Sequence, residues 1–236
     1  MKKAAVLMIL LFRLKALAIN EFGIGINLGF CDDPNNLANE IASYNTAIEN
    51  YRENNAGVRN SQLTVPGALV SGLNLRYQFN YILFRAGAYY MKNLLESSRA
   101  EVIQSHTTIN KIGIDTFQAS STFSLAMILP LMERAYVYFG GGVSLIYAYY
   151  RFFQSDPGSI TGLPATASDT YAGSFIGFHF IAGMEFPITE RFTLCAEWVH
   201  QWGASSPVQS ENGTAKRTFQ INSDIFLLGV NFYVRI

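Results

Sequence analysis

At 236 residues the chain has room for one large domain or two small ones, and half of it is hydrophobic while only 14% is charged. That charge fraction lies well below the roughly 25% of soluble domains, yet a mean hydropathy of +0.16 is too low for a bundle of membrane helices. Basic and acidic residues cancel and no basic run exists, which excludes an electrostatic footprint for nucleic acid.

The first stretch, MKKAAVLMILLFRLKALA, has Lys2 and Lys3, an apolar run from Ala4 to Phe12, and Ala16-Leu17-Ala18. That order of basic, apolar and small residues predicts a secretory signal peptide over 1–18, leaving 19–236 as the mature domain. No later run reaches the roughly 20 apolar residues that a spanning helix needs.

From Asn20 onward the dominant signal has period 2. The first predicted strand sets Phe22, Ile24, Ile26, Leu28 and Phe30 against Glu21, Gly23, Gly25, Asn27 and Gly29. A long connector, 31–64, follows; within it Leu37, Ile41, Tyr44, Ile48 and Tyr51 recur at helical spacing and predict a helix over the barrel mouth. Strands at 69–79 and 81–91 flank a short turn at Asn80, the first alternating around Arg76 and the second around Arg85. Pro66 lacks a ladder donor and reads as a strand start, with a lateral gap in the wall as the rival reading. A fourth strand, about 112–129, and a fifth, 135–151, flank a short turn from Pro130 to Arg134. The sixth, 174–186, and seventh, 192–202, flank Pro187 to Arg191, and an eighth covers about 218–236. Long connectors at 92–111, 152–173 and 203–217 are rich in Asn, Ser, Asp, Gly and Pro.

Eight alternating segments, short turns on one side and long loops on the other predict an all-β fold. The expected form is an eight-stranded antiparallel transmembrane β-barrel with short periplasmic turns, long extracellular loops and a helix in the first loop. The apolar face of the eight segments is expected to carry no Lys, Arg, Asp or Glu, and outward aromatics gather near strand ends as interfacial girdles would. A soluble barrel would carry the reverse pattern. The expected location is the bacterial outer membrane, with its lipid as the surrounding partner. Cys31 and Cys195 fall near opposite ends of such a barrel and are expected to be free thiols.

Three stretches, YVYFGGGVSL (136–145), GMEFPITERFTLCAEW (183–198) and GVNFYVRI (229–236), resemble the small eight-stranded outer-membrane barrels, the OmpA transmembrane domain, OmpX and OmpW among them. The last resembles the C-terminal signal read by the barrel-assembly machinery, although it ends in Ile236 rather than an aromatic residue. The OmpW resemblance implies passage or binding of small hydrophobic molecules. The alternative is a structural or adhesive surface barrel whose loops contact host or envelope components.

Strand parity turns Glu21, Arg76, Arg85, Glu185, Glu197 and Arg235 into the lumen, the first four and Arg235 in the periplasmic half and Glu197 a little higher. Three acids and three bases at one level predict a mutually neutralising network that plugs the lower lumen, since an eight-stranded barrel is just wide enough for side chains to fill; the rival reading is a gated narrow path in which Arg and Glu exchange partners. Higher up, Tyr89, Ile146, Phe175 and His179 outline a cup for a small apolar ligand, or alternatively loop-packing core. The GxGxxxG from Gly23 to Gly29 lies inside a strand with no following helix, so a nucleotide reading fails and the glycines leave lumen space. His106, His179 and His200 lack metal-ligand spacing, with His179 read as lumen filler and His200 as an interfacial residue. No His adjacent to Ser, or acidic cluster with His, stands at a predicted rim. The expectation is therefore a barrel without catalytic residues, cofactor or metal.

Overall fold

The computed structural model describes residues 20–33, 36–55, 57–65, 67–93, 99–104, 107–132, 135–213 and 215–235. The expected signal peptide at 1–18, Pro66, His106, Arg134 and Ile236 lie outside the described residues, as does the side chain of Arg235.

Eight long strands form a closed ring: β1 (Asn20–Cys31), β3 (Ala68–Phe79), β4 (Ile82–Asn93), β6 (Thr107–Met132), β7 (Ala135–Gln154), β8 (Ser168–Pro187), β9 (Phe192–Ala204) and β12 (Gln220–Arg235). Between β1 and β3 lie helix α1 (Ala38–Asn54) and β2 (Val58–Asn60); β5 (Arg99–Gln104) precedes β6, and β10 (Val208–Gln209) with β11 (Lys216–Arg217) fills the last long loop. Each ring strand pairs antiparallel with its sequence neighbour in the ring, and β12 returns to β1 with Glu21 opposite Arg235 and Phe30 opposite Phe226. Closure removes both sheet edges, which is what a bilayer demands of a β-structure.

Alternation decides the faces. Ile26, Ile176 and Leu228 are 64%, 69% and 70% exposed, while Asn27, Gln201 and Asn231 are fully buried. Apolar side chains therefore face lipid and polar ones fill the cylinder. Aromatic girdles close the belt at both ends. Phe192 and Phe232 pack 5.1 Å apart at the periplasmic end, and Tyr90, Phe117, Tyr147 and Tyr149 form a contact chain at the other.

The expectation of an apolar face free of charge fails at one residue that alternation itself turns outward. Asp224 shares the outward parity of Phe226 and Leu228 and lies opposite His200. Lys92, Asp115 and Arg151 are also outward by parity, the last two paired across β6 and β7, but they stand at strand tops around and above the girdle. The belt proper stays uncharged.

The periplasmic turns are tight. Asn80 takes a φ of 53°, a left-handed conformation that Asn tolerates better than most residues. At the turn between β8 and β9, the Thr189 hydroxyl accepts from the Arg191 and Phe192 amides at 3.2 and 3.1 Å, while Ile188 N–H donates to Phe192 O at 2.8 Å.

At the other end the long connectors fold into a cap. The strands run further out than alternation predicts, β6 beginning at Thr107 and β8 at Ser168, and β2 pairs with β5, which pairs in turn with β6. Leu37, Ile41 and Ile48 from α1 and its N-cap pack into a buried cluster with Ile112, Ile146, Phe152, Phe175 and Phe219. The helix starts where the Asp33 carboxylate accepts from the amides of Leu37 and Ala38 at 2.8 and 3.0 Å, satisfying two of its orphan donors.

Candidate functional site in the lumen

Arg76 and Arg85 are register partners on β3 and β4, three residues inside the periplasmic ends of those strands. Glu185 on β8 and Glu197 on β9 reach them from the opposite wall. Arg76 donates from Nη1 to Glu185 Oε2 at 2.6 Å and from Nη2 to Glu197 Oε1, and Arg85 Nη2 lies 2.7 Å from Glu197 Oε2. These four side chains are at most 1% exposed. Two positive and two negative groups cancel, which is the condition for holding charge in a low-dielectric interior.

The remaining lone pairs and protons are met by polar side chains. Tyr136 donates to Glu185 Oε2 at 2.7 Å, Asn231 Nδ2 donates to Oε1 at 3.1 Å, and Thr193 donates to the same oxygen. Tyr138 donates to Glu197, Asn74 Oδ1 accepts from Arg76 Nε at 2.7 Å, and Tyr136 and Tyr233 hydroxyls sit 3.1 Å apart. Arg85 Nη2 also donates to the Tyr89 hydroxyl. Glycines across the lumen make room for these rings: a Cβ on Gly183 would lie 2.5 Å from Tyr138, and one on Gly23 would lie 2.6 Å from Tyr233.

Six charges were expected at this level, and the structure brings four together. Glu21 is half-buried at the strand end and pairs in register with Arg235, whose side chain is outside the described residues. The tyrosines and asparagines that complete the network are invisible to a reading that weighs only formal charge. Their signal was available: Tyr136, Tyr138, Asn231 and Tyr233 share the inward parity of Glu185 and Glu197.

The four residues of the expected cup do not form one pocket wall. Tyr89 belongs to the mid-lumen, held by Arg85, whereas Ile146 and Phe175 are part of the cap cluster. His179 lies between Ser124 and Ser144, with Nε2 2.7 Å from one hydroxyl and Nδ1 2.9 Å from the other. All three are buried, so these serines are ring-filling partners of His179 rather than accessible nucleophiles. The rim does hold an acid with a histidine, Asp224 and His200, brought together by pairing between β9 and β12. Among the described residues no group of three His, Cys, Asp or Glu gathers as a metal site. Cys31 and Cys195 are buried free thiols.

A second polar joint secures the cap. Arg217 on β11 donates to both Glu40 oxygens, from Nη1 at 2.9 Å to Oε1 and from Nη2 to Oε2, and its guanidinium lies 3.6 Å from the Tyr150 ring centroid. Tyr44 and Tyr150 also donate to Glu40, at 2.6 and 2.7 Å. Burial works against the Glu40 carboxylate, but Arg217 and these hydroxyls outweigh it and hold the carboxyl below its ordinary range.

No protein-family model and no curated protein sequence matches the chain. Solved structures do. The chain is similar to Neisserial surface protein A (NspA), with a TM-score of 0.50 and 13% identity over 90% of this chain and 96% of that one. It is also similar to a major outer membrane protein from Thermus thermophilus, with a TM-score of 0.52 and 8% identity over 91% and 99% of the two chains. The fold is that of a small outer-membrane β-barrel. Identities this low establish shape alone, and the lipid-facing belt supplies the physical counterpart. Fold and belt together place the chain in a bacterial outer membrane.

Proposed function

We propose that this outer-membrane barrel is a non-conducting scaffold that presents its folded extracellular cap to surface molecules. The observation that carries the reading is the cap cluster, in which α1 and residues of all four long connectors pack over the barrel mouth. Loops that merely join strands have no need of a shared core. The neutral quartet fills the lower lumen and leaves the two ends sealed by different means. In planar bilayers the wild type is expected to give no conductance steps. Replacing 33–63 by a short turn is expected to abolish binding of surface components while heat-modifiable migration of the barrel persists. Stable channel steps from the wild type, or binding untouched by that deletion, defeat the reading.

A second reading, OmpW-like passage or binding of small hydrophobic molecules, draws on the mid-lumen. Gln118 Oε1, Ser120 Oγ and Gln201 Nε2 are buried there without a protein hydrogen-bond partner, and Ser120 lies opposite the apolar Ile146 in register. Such a site suits an amphiphile with a polar end rather than a plain hydrocarbon. Uptake of an amphiphilic dye into proteoliposomes, lost in Gln201→Leu, checks it.

A further inference from the structure

Along the outward face of β12 the row reads Asp224, Phe226, Leu228, Val230, Phe232, Val234, so one carboxylate heads an apolar column. Trp198 Nε1–H donates to Asp224 Oδ1 at 2.7 Å, and His200 Nδ1 lies 2.9 Å from the same oxygen. His200 packs between Trp198 and Trp202, at ring separations of 6.1 and 5.5 Å. These rings mark the headgroup level, so the Asp224 carboxylate, 46% exposed, looks out at the boundary between lipid heads and tails. Among the described residues its ion-pair partner is His200, and no lysine or arginine joins it.

Immediately below, the wall recedes. Ala182 and Ala196 lie on the outward face, where Ala182 pairs with Trp198 and Ala196 with Met184. Between the larger Phe139, Met184, Trp198 and Phe226 they leave an apolar groove of about 720 Å³, open to the bilayer. That is within the roughly 300–1,000 Å³ of small-molecule sites. Trp198 belongs to both parts, walling the groove with its ring and bonding Asp224 with its nitrogen.

We infer that this is a binding site for one lipid with an amine-bearing headgroup, with an acyl chain in the groove and the ammonium on Asp224. A carboxylate with no lysine or arginine beside it at the headgroup level repels lipids whose only charge is phosphate, and attracts those carrying an ammonium. Small residues supply depth for a chain, where Leu, Ile or Phe at the same positions would fill it. A second outward groove of about 460 Å³, lined by Ala86, Gly141, Phe22 and Tyr77, lies toward the periplasmic girdle without an outward acid, and serves as an internal control.

The test is native mass spectrometry of the protein released from nanodiscs holding equal phosphatidylethanolamine and phosphatidylglycerol. Wild type is expected to retain the ethanolamine lipid about fivefold over the glycerol lipid, the upper end of an exposed charge pair. Asp224→Asn is expected to bring the ratio to parity, Ala196→Leu to lower retention of both lipids, and Ala86→Leu to behave as wild type. Heat-modifiable migration verifies folding of each variant. Equal retention by wild type, an unchanged ratio in Asp224→Asn, or undiminished retention in Ala196→Leu overturns the assignment.

Discussion

The two ends of the barrel interior are filled by opposite chemistries. The periplasmic half is packed with ions: Arg76, Arg85, Glu185 and Glu197, with tyrosines and asparagines satisfying what the ions leave over. The extracellular half is packed with Ile, Leu, Phe and Tyr, and a charged joint, Glu40 with Arg217, ties the helix to the last long loop. The difference follows from the walls. Below, a rigid hydrogen-bonded ring fixes every side chain, so paired charges can be held in good geometry. Above, the chain must bring loops together, and only apolar burial offsets the entropy of ordering them. An ionic region should fail as a unit, because its ions lean on one another; an apolar cap should fail piece by piece.

The largest effect is expected from Glu197→Ala, which strips both arginines of a partner and leaves buried cations. It should cost about 3–5 kcal/mol, read as a lowered urea midpoint of heat-modifiable migration, with Glu197→Gln intermediate. A loss no larger than that of a surface substitution would erase the distinction between the two regions. Next is Ile48→Ala in the cap, expected to cost about 2–5 kcal/mol locally. Protease should then cut within 32–63 while the barrel keeps its unheated gel mobility. Coupled loss of the barrel would show that cap and cylinder are one cooperative body.

Glu40→Gln is smaller, about 1.5–3 kcal/mol for hydrogen bonds to a charged group. Because Glu40 has its carboxyl held below the ordinary value of 4.5 in the folded protein, the unfolded chain binds its proton first. The stabilisation is therefore full above pH 4.5 and drains away as pH falls through the lower folded value. Limited proteolysis across an acid series should show the cap loosening in wild type and a flatter profile in Glu40→Gln. The smallest effect is expected for Arg52→Ala, whose exposed pair with Glu49 should contribute under about 1 kcal/mol; a larger loss would mean that α1 depends on its outer face.

Parity along the strands was legible because a bilayer punishes mistakes in it, and parity alone locates Arg76, Arg85, Glu185 and Glu197. Asp224 breaks the expected charge-free face although the same parity turns it outward; what parity does not tell is how near the headgroups it lies. The outer reaches of β6 and β8 were missed for a related reason. Ser168 to Gly173 leave the belt, and the lipid that enforces alternation is no longer beside them. The little strands β2, β5, β10 and β11 sit in polar sequence with no periodic mark, and their pairing is decided by the cap core. Tyr136, Tyr138 and Tyr233 were legible as lumen residues but not as partners of the ions, since a hydroxyl's role depends on which carboxylate ends up across the cylinder.

The quartet and its supporting side chains come from nearly the whole ring: Asn27, Asn74, Arg76, Arg85, Tyr138, Glu185, Glu197 and Asn231 are spread from β1 to β12. None of the ion pairs within the quartet is made between strands adjacent in the chain, as Glu185 lies 109 residues from Arg76 and Glu197 lies 112 from Arg85. An unfinished cylinder thus carries naked guanidinium and carboxylate groups that only completion neutralises. The ion pairs form only where β3 and β4 face β8 and β9 across the lumen, so the quartet couples two walls of the cylinder that share no hydrogen-bonded ladder.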